Sequence, residues 1–110
     1  MSKKSDRSRL EFILEMIEDI DYIVEQSSIT KALDSRISKP AILMCLMQIG
    51  ETLNKIESTE LKAQLPIKGA YDVRNFIAHD YEGVDLALIE HIVRELIPSL
   101  RTIIKDNLLK

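Results

Sequence analysis

Residues 38–57 read SKPAILMCLMQIGETLNKIE. Within them Ile42, Leu46, Ile49, Leu53 and Ile56 advance by alternating steps of four and three, the spacing of a packed helix seam. Ser38 suits an N-cap, and Pro40 falls in the first turn, where a missing amide costs nothing. The spacing predicts a helix from Ser38 to about Glu57. Gly50, in its interior, costs about 1 kcal/mol relative to Ala. Such a glycine is usually kept because another backbone or side chain approaches closely there.

The same period recurs on both sides. Upstream, Ser8 and Glu11 have capping-box spacing. Leu10, Ile13, Leu14, Ile17, Ile20 and Val24 then form a stripe to about Gln26, flanked by Phe12, Met16 and Ile23. Residues 27–39 are polar and irregular, with at most one turn around Ile29 to Leu33. Downstream, Thr59 begins a short polar helix ending at Leu65, with Pro66 as its stop. Ile67 to about Ala78 forms a third main helix presenting Ile67, Ala70, Tyr71, Val73, Phe76 and Ile77. Gly83 breaks the pattern and Asp85 caps the last helix, whose apolar residues run from Leu86 to Ile104. Pro98 lies inside that helix and is expected to kink or divide it. The expected fold is all-α: one domain over 1–110, an antiparallel four-helix-type bundle with one or two short extra helices.

Composition agrees. The 110 residues include only three Gly and three Pro and no Trp, too few turn formers for an all-β chain. A formal charge of -3 argues against a general nucleic-acid binder, so any RNA contact needs a local patch or an oligomer interface. Cys45 sits in an apolar run, cannot form an internal disulfide, and reads as a small buried hydrophobe in a cytoplasmic protein. The charged start, Met1 to Asp6, is followed by no apolar leader core. The apolar run from Ala41 to Met47 is far short of a membrane span. A soluble protein is expected.

Chemistry concentrates in Arg74-Asn75-Phe76-Ile77-Ala78-His79-Asp80-Tyr81. An imidazole exchanges protons near neutral pH, and a guanidinium offers a planar fork to phosphate oxygens. Together they suit RNA cleavage without metal: His79 moving a proton at the ribose 2′-hydroxyl or the leaving oxygen, and Arg74 stabilising phosphate charge. Residues five apart on a helix are rotated by about 140° and separated by a rise of roughly 7.5 Å. Arg74 and His79 of one chain therefore make a poor compact site, and two copies meeting at this corner make a better one. On the residues alone a plainer reading stands beside this one, in which Arg and His near a helix end interact with the dipole and the last carbonyls.

The whole string resembles the Arg-x4-His-x-Tyr signature of the HepT-like branch of HEPN proteins, including the Asn after the Arg. Ile49-Gly50-Glu51 is similar to that family's Ile-Gly-Glu on its central helix. Tyr81-Glu82-Gly83-Val84-Asp85 and Pro98-Ser99-Leu100 resemble its C-terminal third. The likeness runs from about Ile42 to Leu100. Where family members commonly carry Pro-Trp, this chain has Pro66-Ile67. The resemblance implies an all-α homodimer with Arg74 and His79 facing a cleft between protomers. It also implies a metal-independent endoribonuclease toxin, with RNA as its substrate and a minimal (MNT-type) nucleotidyltransferase antitoxin as its partner. In some members the partner adenylylates the motif tyrosine, here Tyr81.

Supporting roles are open at several positions. Glu51 either faces the cleft or emerges at the edge of the seam. Asn75 binds phosphate or ties the helix end. Asp80 orients His79 or is a solvated carboxylate. His91, among Ile89, Ile92 and charged neighbours, reads as a surface helix residue. Cys45, His79 and His91 have no metal-ligand spacing, and no cofactor or membrane contact is expected. Two rivals to the enzyme remain: a non-catalytic dimer that binds the nucleotidyltransferase or a nucleotide, and a purely structural helical dimer.

Overall fold

A computed structural model describes residues 4–110, and all of the regular secondary structure among the described residues is helical, with no strand. Met1 to Lys3, part of the charged start, lie outside the described residues. In chain order the elements are α1 (Asp6–Glu25), α2 (Ile29–Asp34), α3 (Ser38–Leu53), α4 (Thr59–Gln64), α5 (Ile67–His79), α6 (Leu86–His91), a π-helical turn (Ile92–Leu96) and α7 (Ile97–Leu108). The all-α expectation holds, and so do the short extra helices.

α3 is the hub. It packs most extensively against α5, then against α1, while α7 closes on α1 and α2 fills the end of the bundle. The predicted seam is the core: Ile42, Leu46, Ile49, Leu53 and Ile56 are all buried, facing Ile13, Ile17 and Ile20 of α1 and Ile104 of α7. Cys45 is buried with them. Burial pushes its thiol pKa up, and the Asp19 carboxylate adds to the shift, so the thiol is kept neutral.

Two helix starts differ from the sequence reading. Ser5, not Ser8, caps α1, its hydroxyl accepting from the Ser8 amide at 3.0 Å. Ser35 likewise accepts from the Ile37 and Ser38 amides, so Ser38 is the first helical residue of α3. α3 also ends at Leu53, four residues short of Glu57, and Ile56 is buried from the loop. That loop is pinned by Asp6. Its carboxylate accepts the Glu57 amide at 3.0 Å and the Ser58 amide at 2.8 Å, and pairs with Arg9 at 2.9 Å. Arg9 is buried, with Glu57 as its second anion at 3.7 Å. Asp85 caps α6 as predicted, accepting from Ala87 and Leu88.

Pro98 does divide the last helix. Having no amide, it cannot bond the carbonyl four residues back, and its ring presses on that carbonyl. The chain responds one turn earlier by widening to a π turn, in which the Ile97 amide reaches Ile92 O. An apolar groove with a cavity of about 340 Å³ lies between α5 and this segment, floored by Leu46 and Ile49.

Candidate functional site

Gly50 sets the geometry of the site. A Cβ built there would lie 2.5 Å from Ala70 O and 2.8 Å from Arg74 Cβ, so α5 crosses α3 at a distance only glycine permits. The close approach expected from the sequence is therefore made by both a backbone and a side chain. Its consequence lies one residue on. Glu51 leaves α3 beside the crossing, and its Oε1 accepts from Arg74 Nε at 3.0 Å and from Arg74 Nη2 at 2.7 Å. Arg74 Nη1 donates to Asn75 Oδ1 at 3.0 Å. The side chains of Arg74 and Glu51 are 28% and 38% exposed, so the pair sits at the surface, partly screened. Glu51 emerges at the edge of the α3 seam and meets Arg74 there.

The other motif residues go elsewhere. α5 continues through His79, its last residue, so the rotation of about 140° from Arg74 applies in full. His79 is exposed and, among the described residues, makes no hydrogen bond or ion pair. Asp80 does not reach it: its carboxylate accepts the Gly83 amide at 3.0 Å and folds over that glycine, where any Cβ would collide with it. Asp80 thus shapes the turn after α5. Tyr81 is half-buried against the core, and its hydroxyl donates to the Pro40 carbonyl at 3.2 Å, tying the turn to the start of α3. His91 is exposed on α6, apart from this group. Glu51, Arg74 and Asn75 are brought together; His79, Asp80 and Tyr81 follow along the same helix end without joining them.

The apolar face of α5 is narrower than its spacing suggests. Ile77 is its only fully buried residue, and Phe76 is 44% exposed. Tyr71 was grouped with the apolar set but does not pack on the core. The Arg74 guanidinium stands over its ring, 5.8 Å from the centroid. Its place three residues before Arg74 on a helix was the signal that the two could meet. The acceptor role of Pro40 O had no sequence signal, because any carbonyl can accept.

Among the described residues no three His, Cys, Asp or Glu side chains stand together in a way that could hold a metal ion. No described helix is long and apolar enough to cross a membrane.

Comparison with known proteins places these residues in context. Residues 13–106 match the family described as Ribonuclease HepT-like. The chain is similar to a protein of Thermococcus cleftensis named a probable ribonuclease HepT, with 30% identity covering 90% of this chain and 92% of the relative. It is also similar to two proteins of Methanocaldococcus jannaschii, each named a candidate RNase. One is 29% identical over 96% of this chain and 93% of its own length. The other is 27% identical over 92% and 94%. No solved structure matches the chain.

Proposed function

This chain belongs to the Ribonuclease HepT-like family, and we propose that it is an endoribonuclease whose catalytic pair is Arg74 and His79. The observation that carries the reading is the preset guanidinium. Glu51 and Asn75 engage three of the five N–H groups of Arg74, which leaves two for phosphate oxygens on a side chain that no longer has to be ordered. The arrangement supports charge stabilisation at a transferring phosphoryl group, the task a fixed Arg does best.

His79 supplies the proton chemistry. As a neutral imidazole it takes the 2′-hydroxyl proton while the 2′-oxygen attacks phosphorus, and as imidazolium it protonates the departing 5′-oxygen. These steps use side chains alone, and the reaction proceeds without a metal. The turn of about 140° between Arg74 and His79 favours a composite site, Arg74 from one protomer and His79 from its partner in a two-fold homodimer. The exposed Phe76 beside the site and the groove next to α5 suit such self-association. In its cellular setting the chain acts as a toxin, held in check by a minimal nucleotidyltransferase antitoxin that adenylylates Tyr81.

The test is cleavage of single-stranded RNA in excess chelator by the wild-type chain, Arg74→Ala, His79→Ala and a refolded mixture of the two variants. Each variant alone should lose at least about a hundredfold in rate. The mixture should recover activity, because half of its sites in mixed dimers pair an intact Arg74 with an intact His79. A wild-type chain that binds RNA without cutting it would leave the non-catalytic dimer as the better reading. Activity that survives His79→Ala would refute the assignment of the pair.

A further inference from the structure

We propose that Tyr71 is a nucleobase-stacking residue of this site, taking the face of an unpaired RNA base while Arg74 meets a neighbouring phosphate. The inference rests on the ribonuclease reading and adds to it a contact with the base.

Tyr71 contributes little to the fold. It is half-buried, is absent from the side chains packed against the core, and has no hydrogen-bond partner for its hydroxyl among the described residues. Tyr81, by contrast, has both the packing and the partner. An aromatic ring held at a surface without serving the core is available to a ligand.

Its place on α5 says which ligand. At about 100° and 1.5 Å per residue, Tyr71 lies roughly 60° around the helix from Arg74 and about 4.5 Å before it along the axis. The ring therefore stands on the same flank of α5 as the guanidinium, one turn earlier. The Arg74 guanidinium, 5.8 Å from the ring centroid, is at the outer limit of a cation–π contact, so the ring is not closed into a tight stack. The adjoining Asp72 carboxylate is paired with Lys68 at 2.8 Å, which offsets its repulsion of a nucleic acid.

A phosphate-seeking cation beside a partly open ring is the combination by which proteins hold single-stranded RNA: backbone charge on one side, base stacking on the other. A chain of net charge -3 gains little from general phosphate attraction, so a base contact supplies affinity that its charge does not.

The test uses the His79→Ala chain, which on the ribonuclease reading should hold RNA without cutting it. On titration with single-stranded oligoadenylate, the Tyr71 ring protons, assigned by their loss in Tyr71→Phe, should move upfield in the NMR spectrum. Ribose 5-phosphate should leave them in place. Tyr71→Phe should bind the oligonucleotide within about twofold of its parent, and Tyr71→Leu about tenfold more weakly. In the otherwise wild-type chain the Tyr71→Leu loss should fall on KM rather than kcat. An unmoved ring in the RNA-bound chain, or equal binding by the Phe and Leu variants, overturns the proposal. So does a Tyr71→Leu loss confined to kcat, since the ring would then serve only to position Arg74. If the His79→Ala chain binds no RNA while the wild-type chain cuts it, the stacking proposal falls and the ribonuclease reading stands. If the ring shifts but the wild-type chain does not cut, stacking stands and the ribonuclease reading alone fails.

Discussion

Replacing Gly50 by Ala probes the fold and the site through one methyl group. The new Cβ would lie 2.5 Å from the Ala70 carbonyl oxygen and 2.8 Å from Arg74 Cβ, neither of which is the loose end of a side chain. To restore an ordinary contact of 3.4 Å, α5 must retreat from α3 by about 0.9 Å at this crossing. Overpacking a rigid interface costs roughly 3 kcal/mol at its upper range, and the helix-propensity gain of Ala over Gly returns about 1 kcal/mol. The net loss is about 2 kcal/mol, or about 9 °C in Tm for a chain of this length. The same retreat carries Arg74 away from Glu51. Their 2.7 Å contact would open beyond hydrogen-bonding range, and kcat should fall by up to about a hundredfold. Gly69→Ala is the control for stability: a Cβ there meets nothing within 4 Å, so it should hold or raise Tm by at most a few degrees. Thermal unfolding and single-turnover cleavage measure both variants. A Gly50→Ala chain that melts no lower than Gly69→Ala, or that keeps its kcat, would refute the reasoning.

The Asp6 carboxyl is held below its ordinary pKa of 3.8: burial raises it, but the Glu57 and Ser58 amides and Arg9 together outweigh burial. A depressed folded-state pKa gives stability that is present above 3.8 and lost as pH falls through the folded value. Asp6→Asn should therefore cost about 1–3 kcal/mol in urea unfolding at pH 7, a gap that narrows only below about pH 4; a gap independent of pH down to 2.5 would contradict this. Tyr81→Phe removes only the hydroxyl that bonds Pro40 O, so it should cost about 1 kcal/mol and keep RNA cleavage. Co-expressed with its nucleotidyltransferase partner, Tyr81→Phe should gain no adenylate in intact-mass spectra, whereas the wild-type chain should; an unmodified but silenced wild-type chain would point to sequestration instead.

What the sequence disclosed, and what it hid, divides by the range of the interaction. The α3 seam was legible because its period is a property of one helix: Ile42 through Ile56 needed no knowledge of their neighbours. The cap of α1 was legible in kind but misplaced by three residues, since Ser5 and Ser8 offer the same hydroxyl and only the backbone at each position selects between them. Tyr71 was misread for the same reason in reverse, its step along α5 fitting the apolar set while the helix rotation put its ring beside Arg74. The Glu51–Arg74 pair spans 23 positions and no local pattern announces it. Gly50 announced only the crossing: a glycine kept inside an apolar helix predicts one, and a crossing at residue 50 places residue 51 beside the arriving helix, but that Arg74 is what meets Glu51 there is seen only in the structure. Ile49-Gly50-Glu51 thus reads as a single device. Ile49 anchors the seam, Gly50 admits α5, and Glu51 takes hold of the guanidinium that α5 delivers.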